Sequence, residues 1–382
     1  MDPALEKTLT FLLFIVLGVL LKTKLKTKEQ VTGIQKLILA VALPSTIFVA
    51  LMGVKIDLAM IMLPVMALLF NFTLFVITPL ILRVFDIPRH SAIGRTLMLL
   101  LPSLAPGLSC FPFILEYLGE ESLANAALAD VGNKLFVLIF LYIIAMNWFQ
   151  RSNKDEREEA GGKVKSLLLS LIKEPINMIM AFAIVLLSLG LNMDSLPGFL
   201  SNGFGRLATL MTPLVLLFIG LAVKFEKGKI GKVLSVLLVR AGCSLFLSVA
   251  LIVLFGLNDS SFMLLVIVFP LSSCSFWPFA HMSTFHVREE AKHLPLSKRT
   301  FDVDFAILVL ACSLPFSTAL ILCILSNGTV FSNVWVLLSL ATVLTLSGIL
   351  PHVLKKVRLH LVKSAESAEP AGHVLKEMPL DR

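Results

Sequence analysis

Leu101-Pro-Ser-Leu-Ala-Pro-Gly-Leu-Ser-Cys-Phe-Pro-Phe113 lies inside an apolar run that starts near residue 92. Proline removes a backbone donor and its ring collides with the preceding turn, so a segment holding Pro102, Pro106, Gly107 and Pro112 cannot run as one straight helix. A second stretch, Phe269-Pro-Leu-Ser-Ser-Cys-Ser-Phe-Trp-Pro-Phe279, has the same anatomy: a Ser-Cys pair and a Phe between two prolines, closed by Pro-Phe. Amides and carbonyls freed at membrane depth survive only where they are buried in protein or face water. Two such breaks at matching places point to a polar site near the bilayer midplane.

Outward from these stretches the chain stays apolar. Of 382 residues 57% are hydrophobic and 15% charged, against about half and roughly a quarter in soluble proteins. Two Tyr and three Trp beside 28 Phe do not suit the aromatic girdles of a membrane β-barrel. A soluble enzyme, a disulfide scaffold and a disordered chain are disfavoured, and an all-α polytopic membrane protein remains. Cys110, Cys243, Cys274, Cys312 and Cys323 sit in apolar runs without C-x-x-C spacing or a histidine cluster, and read as small core residues. A formal charge of +8 would suit nucleic acid only if it were gathered on one folded face.

A bilayer core of about 30 Å takes about 20 residues per helix. Cutting at the charged gaps predicts eleven spans, at 8–22, 32–53, 57–82, 92–118, 121–149, 174–192, 203–223, 230–256, 261–286, 301–326 and 329–353. The first has no small-residue cleavage site and reads as a retained span. Of the 33 Lys and Arg, 28 fall in gaps on one side; Lys7, Lys55 and Arg206 lie on the other, and Lys134 and Arg240 lie within spans. Cations near span ends stay cytoplasmic, so the N-terminus is expected outside and the C-terminus inside a plasma (inner) membrane. Asn258-Asp-Ser and Asn327-Gly-Thr then form sequons on the outer side.

Pro44 of Leu43-Pro-Ser-Thr46 matches Pro213 of Met211-Thr-Pro-Leu214 at an offset of 169, and Pro112 matches Pro278 at 166. Two matches in nearly one register predict a repeat used twice. Five spans per copy is an odd number, so the copies enter from opposite sides. The expected organisation is a first five-helix repeat at 1–149, a solvated cytoplasmic linker at 150–173, a second, inverted repeat at 174–326, an extra transmembrane helix at 327–354 and a cytoplasmic tail at 355–382.

Intramembrane ionisable residues are costly and count as functional candidates. Asp130, Asn133, Lys134 and Val137 share one face of span 5, and Asp130 with Lys134 forms an i,i+4 pair. That pair is either a structural lock or an anion-facing charge with a proton relay. Arg240 either meets substrate or bonds helix-end carbonyls. Asp302 and Asp304 open span 10, where capping is the default and proton coupling the alternative. His281 and His286 read as hydrogen-bonding packers. Around the breaks Pro106, Gly107, Ser109, Pro112, Ser272, Ser273, Ser275 and Pro278 complete the candidate substrate site with Asn133 and Lys134; Asp130, Asp302 and Asp304 are the coupling candidates. No nucleophile-and-base pattern, Walker loop, metal motif or dinucleotide fingerprint is present, so neither an enzyme nor a cofactor is expected.

The stretch Leu118–Val137, the run Lys173-Glu-Pro-Ile-Asn177 and the segment from Thr212-Pro213 to Ile219-Gly220 resemble the auxin efflux carrier family of permeases. The resemblance spans roughly residues 8–326. It implies ten core helices in two inverted repeats, with helices 4 and 9 crossing at prolines and a carboxylate bound at the crossing. Of the family's fourth-helix pattern, Asn-x-Gly-x-x-Gly-x-Pro, this chain keeps Gly107 and Pro112 but has Ala105 and Cys110 at the asparagine and second glycine. The expectation is a secondary transporter of small organic anions working by alternating access. Its partners would be the lipid bilayer, the substrate anion, a coupling ion (H⁺ or Na⁺) and, as an option, a second copy in a homodimer. A channel or transceptor using the same crossing is the alternative.

Overall fold

A computed structural model describes residues 3–53, 59–152, 165–166, 168–169, 172–222, 230–295 and 298–368. Lys55, most of the linker expected at 150–173 and the tail from 369 onward lie outside the described residues. All regular structure among the described residues is helical. Eight of these helices are long and apolar enough to cross a membrane, and two shorter apolar helices, Leu9–Leu21 and Pro175–Ser188, stand where spans 1 and 6 are expected. The chain is a multi-pass membrane protein. Span 4 is built from two half-helices, the first of them Ala92–Leu100.

Local sequence explains where the helices start and bend. Thr27 and Gln30 form a reciprocal capping box at the start of span 2, Ser91 accepts from the Gly94 amide to open span 4, and Asp302 accepts from the Phe305 amide to open span 10. Each satisfies an amide with no partner inside its own helix. Pro44 has no N–H to offer, and the turn before it, Ile38–Ala42, relaxes into a π-helical turn. Gly119, at φ 84 and ψ −178, takes a conformation open essentially to glycine alone and turns span 4 into span 5.

Glycines set the closest approaches. A Cβ on Gly18 would sit 2.2 Å from the Leu217 carbonyl oxygen, and one on Gly220 would sit 2.1 Å from that of Ile15, so span 1 and the second half of span 7 touch backbone to backbone. Gly242 and Gly348 do the same between spans 8 and 11. At its far end span 11 is tied to the loop after span 3, where the Lys356 ammonium lies 2.9 Å and the His352 ring 3.1 Å from the Asp86 carboxylate. Hydrogen bonds from Lys356 and then His352 hold that carboxyl below the usual carboxylate range, so the tether persists at neutral pH and loosens only as pH falls through the lowered value.

The apolar core is split in two. One cluster holds Leu104, Ala127, Ala241 and Leu271; the other holds Leu101, Phe136, Val239 and Cys274. Four spans therefore pass from one core to the other within a few residues. The residues at those transitions are 101–104 in span 4, Asp130 to Lys134 in span 5, Arg240 in span 8 and 272–274 in span 9. A polar layer separates two greasy ones.

Candidate functional site

The two proline-rich stretches lie against each other within this layer. Helix is lost between Leu100 and Pro106 in span 4 and between Leu271 and Phe276 in span 9. The exposed backbone is accounted for almost group by group. The Ala105 amide donates to the Ser273 carbonyl at 2.8 Å. The Ser273 amide donates to Ser109 Oγ and the Ser275 amide to Ser103 Oγ, each at 3.0 Å, while the Cys274 amide donates to Ser313 Oγ of span 10 at 3.2 Å. Arg240, 1% exposed, donates from Nε to the Leu101 carbonyl at 2.6 Å and from Nη2 to the Ser103 carbonyl at 3.1 Å. Its guanidinium closes the C-terminal end of the half-helix Ala92–Leu100, where the helix dipole favours a cation. Of the two roles open to Arg240, the structure shows bonding to helix-end carbonyls.

Asn133 clips span 5 to the same break. Its Nδ2 donates to the Leu104 carbonyl at 2.9 Å and to Asp130 Oδ1 at 2.8 Å, and its Oδ1 accepts from the Leu104 amide at 3.3 Å and from Asn71 of span 3 at 2.9 Å. Lys134, only 5% exposed, has three polar partners. Nζ lies 3.1 Å from Glu174 Oε2, 3.4 Å from Asp130 Oδ2 and 3.4 Å from Asn177 Oδ1. One turn on, Phe136–Phe140 forms a second π-helical turn, and the Val137 carbonyl it frees accepts from His281 Nε2 at 3.0 Å.

Beside these groups opens a cavity of about 180 Å³, walled by Gln35, Leu39 and Leu43 of span 2, residues 104–108 of span 4, Asp130, Asn133, Lys134 and Val137 of span 5, Glu174 and Ile176 of span 6, and residues 275–277 of span 9. Both π-helical turns contribute to its wall, through Leu39 and Val137. Two other hollows lack this chemistry. One of about 60 Å³ is walled by apolar residues such as Leu63, Phe70 and Phe262; one of about 480 Å³ lies beside Asp86, Lys232 and Lys356 at the cation-rich end.

Of the residues singled out from sequence, Pro106, Gly107, Asp130, Asn133, Lys134 and Ser275 line the cavity. Ser109 is engaged with the backbone of the two breaks, and Ser272 Oγ donates to the Phe269 carbonyl. Ser273 is buried and joins the breaks through its main chain. Pro112 and Pro278 stand in the first turns of Phe111–Leu135 and Phe276–Ala291, where a missing amide costs nothing, so they start half-helices rather than break them. Asp302 caps span 10, and Asp304 is exposed in its first turn; neither reaches the cavity. His286 lies 2.8 Å from Arg299 Nη1 at the cation-rich end.

Sequence reasoning reaches Glu174 and Asn177 only through the resemblance and gives no separate role to Asn71, Ser103 or Ser313. The signal for Glu174 was a carboxylate placed directly before Pro175 at the mouth of a span. Among the described residues no three His, Cys, Asp or Glu side chains gather closely enough to hold a metal ion. No family model and no curated protein matches the chain.

Proposed function

We propose that the chain is a secondary transporter of small organic anions, built as two inverted five-helix repeats whose spans 4 and 9 cross at the cavity. The carrying observation is the cavity itself, in which an intramembrane ammonium stands beside two hydrogen-bonded helix breaks. Residues 275–277 open a 16-residue half-helix capped by Ser275, so its positive dipole end is directed at the same space. Packing supports the repeat: span 1 lies along the second half of span 7, and span 6 lies along the second half of span 2. A two-fold axis in the membrane plane relating spans 1–5 to 6–10 produces that exchange.

The rim supports access from the cytoplasmic side. Gln35 lies seven residues, about 10 Å, inside a helix that starts at Lys28 on the cation-rich side, and Glu174 stands at the first turn after the cation-rich linker. The cavity therefore opens to the cytoplasm, as the inward-facing state of an alternating-access carrier would. Family membership among auxin efflux carrier-like permeases follows the same reading, with Ala105 in place of the usual asparagine shifting recognition from a side-chain amide to Lys134.

Uptake by proteoliposomes of a labelled panel (lactate, pyruvate, malate, malonate, indole acetate) tests this. At least one member is expected to accumulate, and Lys134→Gln to reduce its apparent affinity by about a hundredfold or more. No uptake of any member, or uptake indifferent to Lys134→Gln in folded protein, would sink the proposal.

A further inference from the structure

By formal charge the cavity proposed to hold an anion is negative. Lys134 supplies one positive charge, and Asp130 and Glu174 supply two negative ones at 3.4 and 3.1 Å. The two carboxylates are held differently. Asp130 is on the helix of Lys134, its side chain is 7% exposed, and its second oxygen accepts from Asn133. Glu174 arrives from span 6 with its side chain 21% exposed and faces the cavity. It occupies the N-cap position of Pro175–Ser188 yet makes no cap bond there; its carboxylate goes to Lys134 and accepts from Asn177 Nδ2 at 3.2 Å. The parts of span 2 packed on this helix, Ile38–Ala42 and Leu43–Met52, carry no ionisable residue, and neighbouring Lys173 is exposed. Among the described residues, Lys134 and Asp130 set the charge that Glu174 meets.

We infer that Glu174 is an internal stand-in for the substrate: a small monocarboxylate replaces it on the Lys134 ammonium when Glu174 takes up a proton, and one proton crosses with each anion. This rests on the anion-transport reading and names its substrate class and coupling. The proton comes from water on the open side and converts the Glu174 carboxylate to the neutral acid; the substrate carboxylate then accepts the N–H bond that Glu174 released. Charge is conserved in the layer, with one cation and two anions before and after. Without the proton three carboxylates would share one ammonium, and two like charges about 4 Å apart at an effective dielectric near 20 cost about a thousandfold in binding. Asp130 keeps its place throughout because Asn133 ties it to Leu104 of the break.

The test uses the purified full chain in detergent with lactate, pyruvate and benzoate as probes, all fully ionised between pH 6 and 8 by the ordinary carboxylate range of about 4. Binding is read as a ligand-induced rise in unfolding temperature, and proton uptake with a pH dye in weak buffer. Wild type is expected to bind more weakly as pH rises, by about tenfold per unit above the Glu174 titration, and to take up one proton per bound anion. Glu174→Gln is expected to bind at pH 8 at least tenfold more tightly than wild type, with no pH dependence and no proton uptake. Wild-type binding without proton uptake overturns the role of Glu174 and leaves the anion reading standing; that measurement needs no variant to fold. A Glu174→Gln protein with wild-type pH dependence does the same. Binding of none of the probes to either protein overturns both.

Discussion

Arg240→Gln is expected to destabilise the protein by roughly 3–5 kcal/mol, because it leaves the end of the half-helix Ala92–Leu100 with unpaired carbonyls inside the membrane. Arg240 is 1% exposed, and its two bonds, to the carbonyls of Leu101 at 2.6 Å and Ser103 at 3.1 Å, are of the charged kind worth about 1.5–3 kcal/mol each. The cost of burying the guanidinium works the other way, and no described carboxylate lies within ion-pair distance of it; this is why the expected loss is not larger. Arg240→Lys keeps the charge but offers a single point donor where a planar fork spans two carbonyls, so it should recover only part of the loss. Thermal unfolding in detergent reads the series, expected in the order wild type, lysine, glutamine. A glutamine variant that melts with wild type would show that the carbonyls find other partners and that Arg240 does not hold the break.

The second large effect is expected at Gly132. A Cβ built there falls 1.8 Å from the Pro64 carbonyl oxygen and 2.7 Å from its carbon, so spans 3 and 5 meet backbone to backbone and alanine must push them apart. Overpacking costs about 1–3 kcal/mol where side chains can yield; here the obstacle is main chain, and Gly132→Ala belongs at or above the top of that range. The site should suffer as well, since the next residue, Asn133, accepts from Asn71 of span 3 at 2.9 Å. Gly205→Ala, with nothing within 4 Å of its built Cβ, is the matched control and should leave melting unchanged or slightly raised. If the two alanine variants melt together, spans 3 and 5 do not approach as closely as described.

Much of this architecture was legible in the sequence, and the reason is the bilayer. Hydrocarbon admits few charges, so charged gaps mark span ends. Ile230–Phe255 and Val303–Ser326 fall within about two residues of the cut made at the charged gaps. Span 1 begins earlier than its apolar run, at Pro3, because Glu6 and Lys7 form its first turns and Lys7 donates to the Glu116 carbonyl at the end of span 4.

Clustered prolines, not single ones, marked the spans that break: Pro64 and Pro79 stand inside the unbroken helix Ala59–Val84 and Pro315 inside Val303–Ser326, and even the clusters were a poor guide to where. Helix is lost at residues 101–105 and 272–275, while Pro106, Pro112 and Pro278 restart it, because a proline is tolerated in a first turn and harmful only later. Of the break serines, Ser275 lines the cavity, while the backbone unwound at membrane depth takes up Ser109 and Ser272. Ser103 and Ser109 donate to or accept from main chain on both sides. What the sequence could not show was the third dimension of Lys134. Its i,i+4 partner Asp130 was readable from periodicity, whereas Glu174 and Asn177 reach it from 40 and 43 positions away through a fold that only packing determines.

Counterflow tests the central claim most directly. Proteoliposomes loaded with an unlabelled carboxylate from the uptake panel, and diluted into a trace of the labelled form, are predicted to accumulate label transiently above equilibrium, with the overshoot lost in Lys134→Gln. A carrier that turns over around an occupied site must exchange in this way. Label that only leaks down its gradient, or an overshoot preserved in Lys134→Gln, would contradict the account.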